Sequence, residues 1–156
     1  RPLLDIDEKD IAKAHHEASA ITMDISNRKV TRQTMNILPR IREVDLLLQR
    51  SGSLRNRMFE VHPELIFMEI NGGPIEESKR TLEGRARRMT CLQRIFAPEA
   101  VESCISMITG TPIKHDDLID ALACCWSADR IARGTHRETP AEPEFDSTGL
   151  RMTIRF

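Results

Sequence analysis

Only two stretches of this 156-residue chain alternate apolar and polar residues as a strand must, and that scarcity governs what the chain can fold into. The first is RMFEVH, residues 57–62, where Phe59 and Val61 alternate with Met58, Glu60 and His62. The second is the closing LRMTIRF, residues 150–156, with Leu150, Met152, Ile154 and Phe156 on one side. Two strands alone do not make a stable sheet. They are expected to pair with strands lying upstream of Arg1 or supplied by another chain. The start at Arg1, not Met, is read as the start of a piece of a longer product or of a processed one.

The rest is mostly helical in pattern. Ile11, Ala14, Ala18 and Ile21 predict a helix over 7–25, with Asp7, Glu8 and Asp10 favourably placed near its positive end. Ile37, Ile41, Val44 and Leu48 make a second amphipathic stripe. Its start is set at Asn36 as N-cap, with Pro39 in the first turn and Gly52 past the end. Pro63 opens a short helix through PELIFMEI, another covers 82–96, and a third follows Pro98. The clearest helix runs over 115–133, with Leu118, Ala121, Leu122 and Cys125 on one face and Gly134 as its stop. ETPAEPEFDSTG, with two prolines and four acids, reads as a solvated connector. The length suits a single domain over 1–156.

Charge and composition narrow the function. With 23 Lys+Arg against 24 Asp+Glu the chain is not a globally basic nucleic-acid binder, which leaves only a local basic patch. Five Phe, one Trp and no Tyr argue against an aromatic base-stacking platform. No run of eighteen apolar residues occurs, so no membrane association is expected, and the acidic amino end is unlike a signal peptide. Cys91, Cys104, Cys124 and Cys125 form no Cys-x-x-Cys pair. They read as reduced thiols in a reducing, cytoplasmic compartment, with a zinc site as the lesser alternative.

Two acidic features are candidates for chemistry. Glu60 sits mid-strand, where a carboxylate is out of place unless a cation or an arginine compensates it, or unless that strand face is solvated. Asp116, Asp117 and Asp120 head the helix at 115–133, Asp116 and Asp120 about 40° apart and Asp117 and Asp120 about 60° apart around its axis. Carboxylates on adjacent turns suit a hard divalent cation. Helix-dipole compensation accounts for Asp116 and Asp117 equally well, but less well for Asp120 in the second turn. Lys79, Arg80, Arg85, Arg87, Arg88 and Arg94 crowd one segment; Lys79 and Arg88 are the choices for phosphate contact, against a plain solvated helix face. His62, on the strand face of Glu60, is a candidate proton shuttle, against an ordinary satisfied histidine. Trp126 reads as a core anchor.

The runs Phe59-Glu60-Val61-His62-Pro63-Glu64, Ser78-Lys79, Gly84-Arg85 and His115 through Leu122, with Trp126-Ser127-Ala128, resemble a family of uncharacterised predicted nucleases with an RNase H-like fold. Gln33, the run Ile41 through Asp45, and Gly149 through Met152 fit the same pattern, so the resemblance spans nearly the whole chain. Asp117-x-x-Asp120-Ala-Leu-Ala is also similar to the last helix of Holliday-junction resolvases. The resemblance implies an α/β fold with a mixed sheet flanked by helices. It also implies a two-metal phosphodiesterase mechanism using Mg²⁺ or Mn²⁺, with Glu60, Asp117 and Asp120 as catalytic acids and Asp116 as a further metal ligand. The family's leading first-strand aspartate has no counterpart in RPLLDIDEKD. A non-catalytic domain of the same fold, binding nucleic acid or protein, therefore stands as the alternative. Homo-oligomerisation is left open.

Overall fold

The computed structural model describes residues 2–6 and 11–156. Among these, the fold is mixed α/β and rich in helix. A 3-10 turn, Pro2–Asp5, precedes α1 (Ile11–Ser26), α2 (Arg32–Arg50), α3 (Gly52–Arg55), β1 (Glu60–Val61), α4 (Pro63–Asn71), α5 (Leu82–Gln93), α6 (Pro98–Ile108), α7 (His115–Arg133), β2 (Glu138–Phe145) and β3 (Arg151–Arg155). The three strands form one sheet in the order β1-β3-β2. β1 runs parallel to β3, with Glu60 opposite Ile154 and Val61 opposite Arg155. Arg137 and Phe156 exchange both backbone hydrogen bonds, as facing residues of an antiparallel pair do.

Two compact units are distinguished. One holds the described residues up to Met58 together with Glu144–Met152; its core gathers Ile6, Ala14, Ala18 and Val30, with Leu3, Ile21 and Met35 against them. The other, Phe59–Pro143 and Thr153–Phe156, is built on Ile66, Phe67, Cys91, Leu92, Ile119, Ala123 and Phe156. Trp126 packs against this second core, half-buried, with the Arg130 guanidinium 4.7 Å from its ring centroid. Arg130 is itself fixed by Glu69 at 3.1 Å.

Several local expectations need correction. The acids expected to start the first helix, Asp7, Glu8 and Asp10, lie outside the described residues. α2 begins at Thr31, not Asn36: the Thr31 hydroxyl accepts from the Thr34 amide, and Pro39 lies inside the helix. A strong cap and a continuous apolar pattern outweigh the hydrogen bond lost at proline, a cost of about 3 kcal/mol. Gly52 opens α3; Ser51 is the C-cap of α2. The strand expected over 57–62 shrinks to Glu60–Val61, because the amides of Arg57 and Met58 both bond to the Leu54 carbonyl and are lost to a ladder. The stretch read as a connector is mostly β2. Its prolines are tolerated because β2 is at the sheet edge, where missing donors matter least. Asp146 Oδ1 then accepts from the Thr148 and Leu150 amides and closes the turn into β3.

The face of α7 is also rotated from the expected one. Ile119, Ala123 and Ser127 are buried, at helical spacing, while Ala121 and Cys125 are exposed. This rotation positions the site.

Candidate functional site

The buried stripe of α7, extended toward its amino end, runs through Asp120 and Asp116. Residues 116, 119, 120, 123 and 127 share one helical face at spacings of three and four. Packing Ile119 and Ala123 into the core therefore draws Asp116 and Asp120 to its edge, with side chains 30% and 23% exposed. Asp117, one residue round the helix, stays in solvent.

Opposite them lies the segment between α4 and α5. Gly72 stops α4 in the left-handed conformation, φ 77°, which glycine adopts without steric cost. The chain then returns to α5, whose N-cap Thr81 accepts from the Gly84 amide. Gly84 is where this return touches the helix: a Cβ there would sit 2.1 Å from the Ser78 carbonyl oxygen and 2.8 Å from that of Glu77. Arg88, one turn further, fastens the same backbone. Its Nη1 donates to the Glu77 carbonyl (3.0 Å) and the Gly84 carbonyl (2.9 Å), and its Nη2 to Glu64 Oε2 (2.6 Å). Its guanidinium also lies 5.8 Å from the Phe67 ring centroid. The segment so held presents Lys79, whose Nζ donates to Asp120 Oδ2 at 2.8 Å.

Lys79, Arg85, Arg88, Asp116, Ile119 and Asp120 line one narrow depression, with no water-sized space left between the side chains. The hydrogen bond to Asp120 raises the Lys79 pKa above the ordinary lysine value; partial burial opposes this, and the charges of Asp120, Glu64 and Asp116 add to it. Arg85 stands 3.7 Å from Asp116 Oδ1, an ion pair too long for a hydrogen bond. Asp116 Oδ1 and Asp120 Oδ1 are both buried and have no hydrogen-bond partner among the described residues. An unsatisfied buried acceptor costs about 1–3 kcal/mol. Here two such atoms lie one turn apart, offset only by the long Arg85 contact to Asp116 and by Lys79 on the other oxygen of Asp120. Burial, and then the charge of Asp120, raise the pKa of Cys124 in the next turn of α7.

A family profile matches residues 7–145 of the chain. The chain belongs to the DUF429 family, whose description is "Protein of unknown function". No curated protein and no solved structure matches it.

In this DUF429 chain, four of the seven residues singled out from sequence meet at the depression: Asp116, Asp120, Lys79 and Arg88. Their roles differ from those expected. Lys79 faces a carboxylate, and Arg88, 3% exposed, is committed to the protein's own carbonyls and Glu64. Glu60 is exposed on β1 and Asp117 exposed on α7; neither lines the depression. Among the described residues, no group of three or more His, Cys, Asp and Glu side chains is gathered closely enough to hold a metal ion, so the four expected ligands are not assembled together. His62 caps α4 without a side-chain bond and lines a different, more open pocket of about 370 Å³, with Glu64, Leu65, Met68, Pro74, Ile75 and Ile154.

Three residues complete the site, of which Arg85 belongs to the basic segment read from sequence, while Glu64 and Gly84 enter there only within the motif runs. Glu64 is the partner of Arg88, Arg85 faces Asp116, and Gly84 admits the Ser78 carbonyl. Glycine at the third position of a helix headed by Thr81, four residues before an arginine, was the signal available for Gly84 and Arg88. The four cysteines are free, and no helix among the described residues is long and apolar enough to cross a membrane.

Proposed function

We propose that this chain carries a metal-dependent phosphodiester-hydrolysing site of the RNase H-like nuclease type, centred on Asp116 and Asp120. One observation carries the reading: the two buried Oδ1 atoms on adjacent turns of α7 that have no hydrogen bond among the described residues, beside three cationic side chains. The donor set suits Mg²⁺ or Mn²⁺, which accept one or two protein carboxylates and keep several waters; room for the ion and its waters requires Lys79 to turn away from Asp120. Asp116 and Asp120 would hold the ion. When bound, it supplies an acidified water and charge to offset that of a phosphate.

The remaining groups act by themselves. Lys79, 43% exposed at its side chain, is the ammonium free to turn from Asp120 toward a phosphate oxygen. Arg85, 38% exposed, is the second phosphate contact. Arg88 positions: it holds the backbone at Glu77 and thereby Lys79, and its burial keeps it from substrate. Glu60 and Asp117 have no part in this arrangement.

A second reading is favoured by the Lys79–Asp120 contact itself. An ammonium at 2.8 Å already neutralises the carboxylate, as in a non-catalytic domain of the same fold that binds nucleic acid or protein. Calorimetric titration of the full chain with Mn²⁺ separates the two. The nuclease reading expects saturable uptake that vanishes in Asp120→Asn, and Mn²⁺-dependent cleavage of a labelled oligonucleotide. Absence of uptake by the wild-type chain sinks it; oligonucleotide binding indifferent to Mn²⁺ then supports the second.

A further inference from the structure

We propose that the open pocket beside Glu64 receives a nucleobase, so that the substrate is an unpaired nucleotide unit with its base in that pocket and its phosphate at Lys79. The inference rests on the phosphodiester reading above and specifies its substrate class. Glu64 joins the two places. Its side chain lines the pocket, while its Oε2 accepts from Arg88, which lines the polar depression. One segment builds both: Ile75 forms a wall of the pocket, and Lys79, four residues on, reaches Asp120. Four residues span at most about 14 Å, so a ligand of nucleotide dimensions reaches from one to the other.

The chemistry of the walls fits a base. Met68, Ile75 and Ile154 offer apolar surfaces for the flat faces of a heterocycle, without any aromatic platform. His62 and Glu64 supply the polar groups that a base edge needs. Arg88 fixes the Glu64 carboxylate through Oε2 and leaves Oε1, which has no hydrogen bond among the described residues, to accept from an exocyclic amine. That selects adenine, cytosine or guanine over uracil or thymine, whose keto oxygen would face the carboxylate. At about 370 Å³ the pocket lies at the small end of the range for ligand sites, about 300–1,000 Å³. It has room for a base, and a duplex would first have to release that base.

The test is saturation-transfer NMR on the full chain with cytidine, uridine and ribose 5-phosphate as separate probes. Cytidine is expected to bind and uridine to bind more weakly. In Ile75→Trp, which fills the pocket, cytidine affinity should fall about tenfold or more while ribose 5-phosphate binding is kept. Lys79→Ala should show the reverse pattern. Ile75→Ser, which removes the wall without adding bulk, serves as the second pocket variant, and it too should weaken cytidine. Binding of ribose 5-phosphate without any of cytidine overturns the base pocket and leaves the phosphodiester reading standing. Cytidine binding without ribose 5-phosphate upholds the pocket and removes the phosphate site. Failure of both probes removes both.

Discussion

Substituting Gly84 by alanine sets two effects of opposite sign against each other. Gly84 lies inside α5, where alanine is the better helix former by about 1 kcal/mol. Propensity alone therefore says that the variant is more stable. Sterics say otherwise. The new Cβ would stand 2.1 Å from the Ser78 oxygen, about 1.3 Å inside ordinary contact, and the neighbouring obstacles are backbone atoms of Glu77 and Ser78 that cannot rotate away. Forcing extra volume into a packed site costs about 1–3 kcal/mol. Pushing the segment outward also breaks the 3.0 Å bond from buried Arg88 to the Glu77 carbonyl, a further cost of about 1–3 kcal/mol. The balance is a net loss of about 3 kcal/mol, or a fall in melting temperature of roughly 6–12 °C for a chain of this size. Thermal unfolding followed by circular dichroism reads it. Ala86→Gly, at an exposed position of the same helix, is the control for propensity alone and should lower the melting temperature by about 2–4 °C. If Gly84→Ala instead raises the melting temperature by a similar amount, the close approach of the 77–78 backbone is wrong, and with it the account of how Lys79 is held.

Four further outcomes are expected. Arg88→Met should cost about 2–3 kcal/mol, because it leaves the Glu77 and Gly84 carbonyls without their donor, and Arg88→Lys should recover little because one ammonium cannot serve Glu64 and two carbonyls in the guanidinium's planar geometry; denaturant unfolding measures both. The Lys79–Asp120 pair, half-exposed, should contribute no more than about 1 kcal/mol. Since the folded pKa of Lys79 is raised above 10.5, that contribution, with Asp120 ionised, is fully present below pH 10.5 and disappears as pH rises through the folded value, so on the alkaline side the stability gap between wild type and Lys79→Met should close only above pH 10.5. Alkylation mapped by mass spectrometry should label exposed Cys125 first and buried Cys91, whose thiol pKa burial raises, last; Asp120→Asn should speed labelling of Cys124 by removing the charge that helps keep its pKa up. Glu60→Gln, at an exposed position, should change stability by less than about 0.5 kcal/mol in the same unfolding assay and leave Mn²⁺ uptake unaltered.

What the sequence disclosed and what it hid divide along the range of the interactions involved. α4, α6 and α7 were legible because their signals are local: Pro63 and Pro98 at first-turn positions, Gly134 in the left-handed conformation after α7. β2 was not legible, because two prolines argue against a strand unless it is known to lie at an edge, and edge position depends on residues distant in sequence. The orientation of α7 was misjudged for a related reason. Its apolar residues, Leu118 through Trp126, lie on more than one face, so periodicity admits several inward faces, and the choice fell to Ile66, Phe67 and Leu92 on other helices. That choice then decided which aspartates matter. A helix buried along Leu118 and Leu122 would have turned Asp117 toward the protein; one buried along Ile119 and Ala123 turns Asp116 and Asp120 there instead and leaves Asp117 outside. The nuclease reading thus narrows from a four-carboxylate set to the two acids that share a stripe with the core. Their desolvated Oδ1 atoms, and not the number of acids in the HDDLID run, are what a cation would answer.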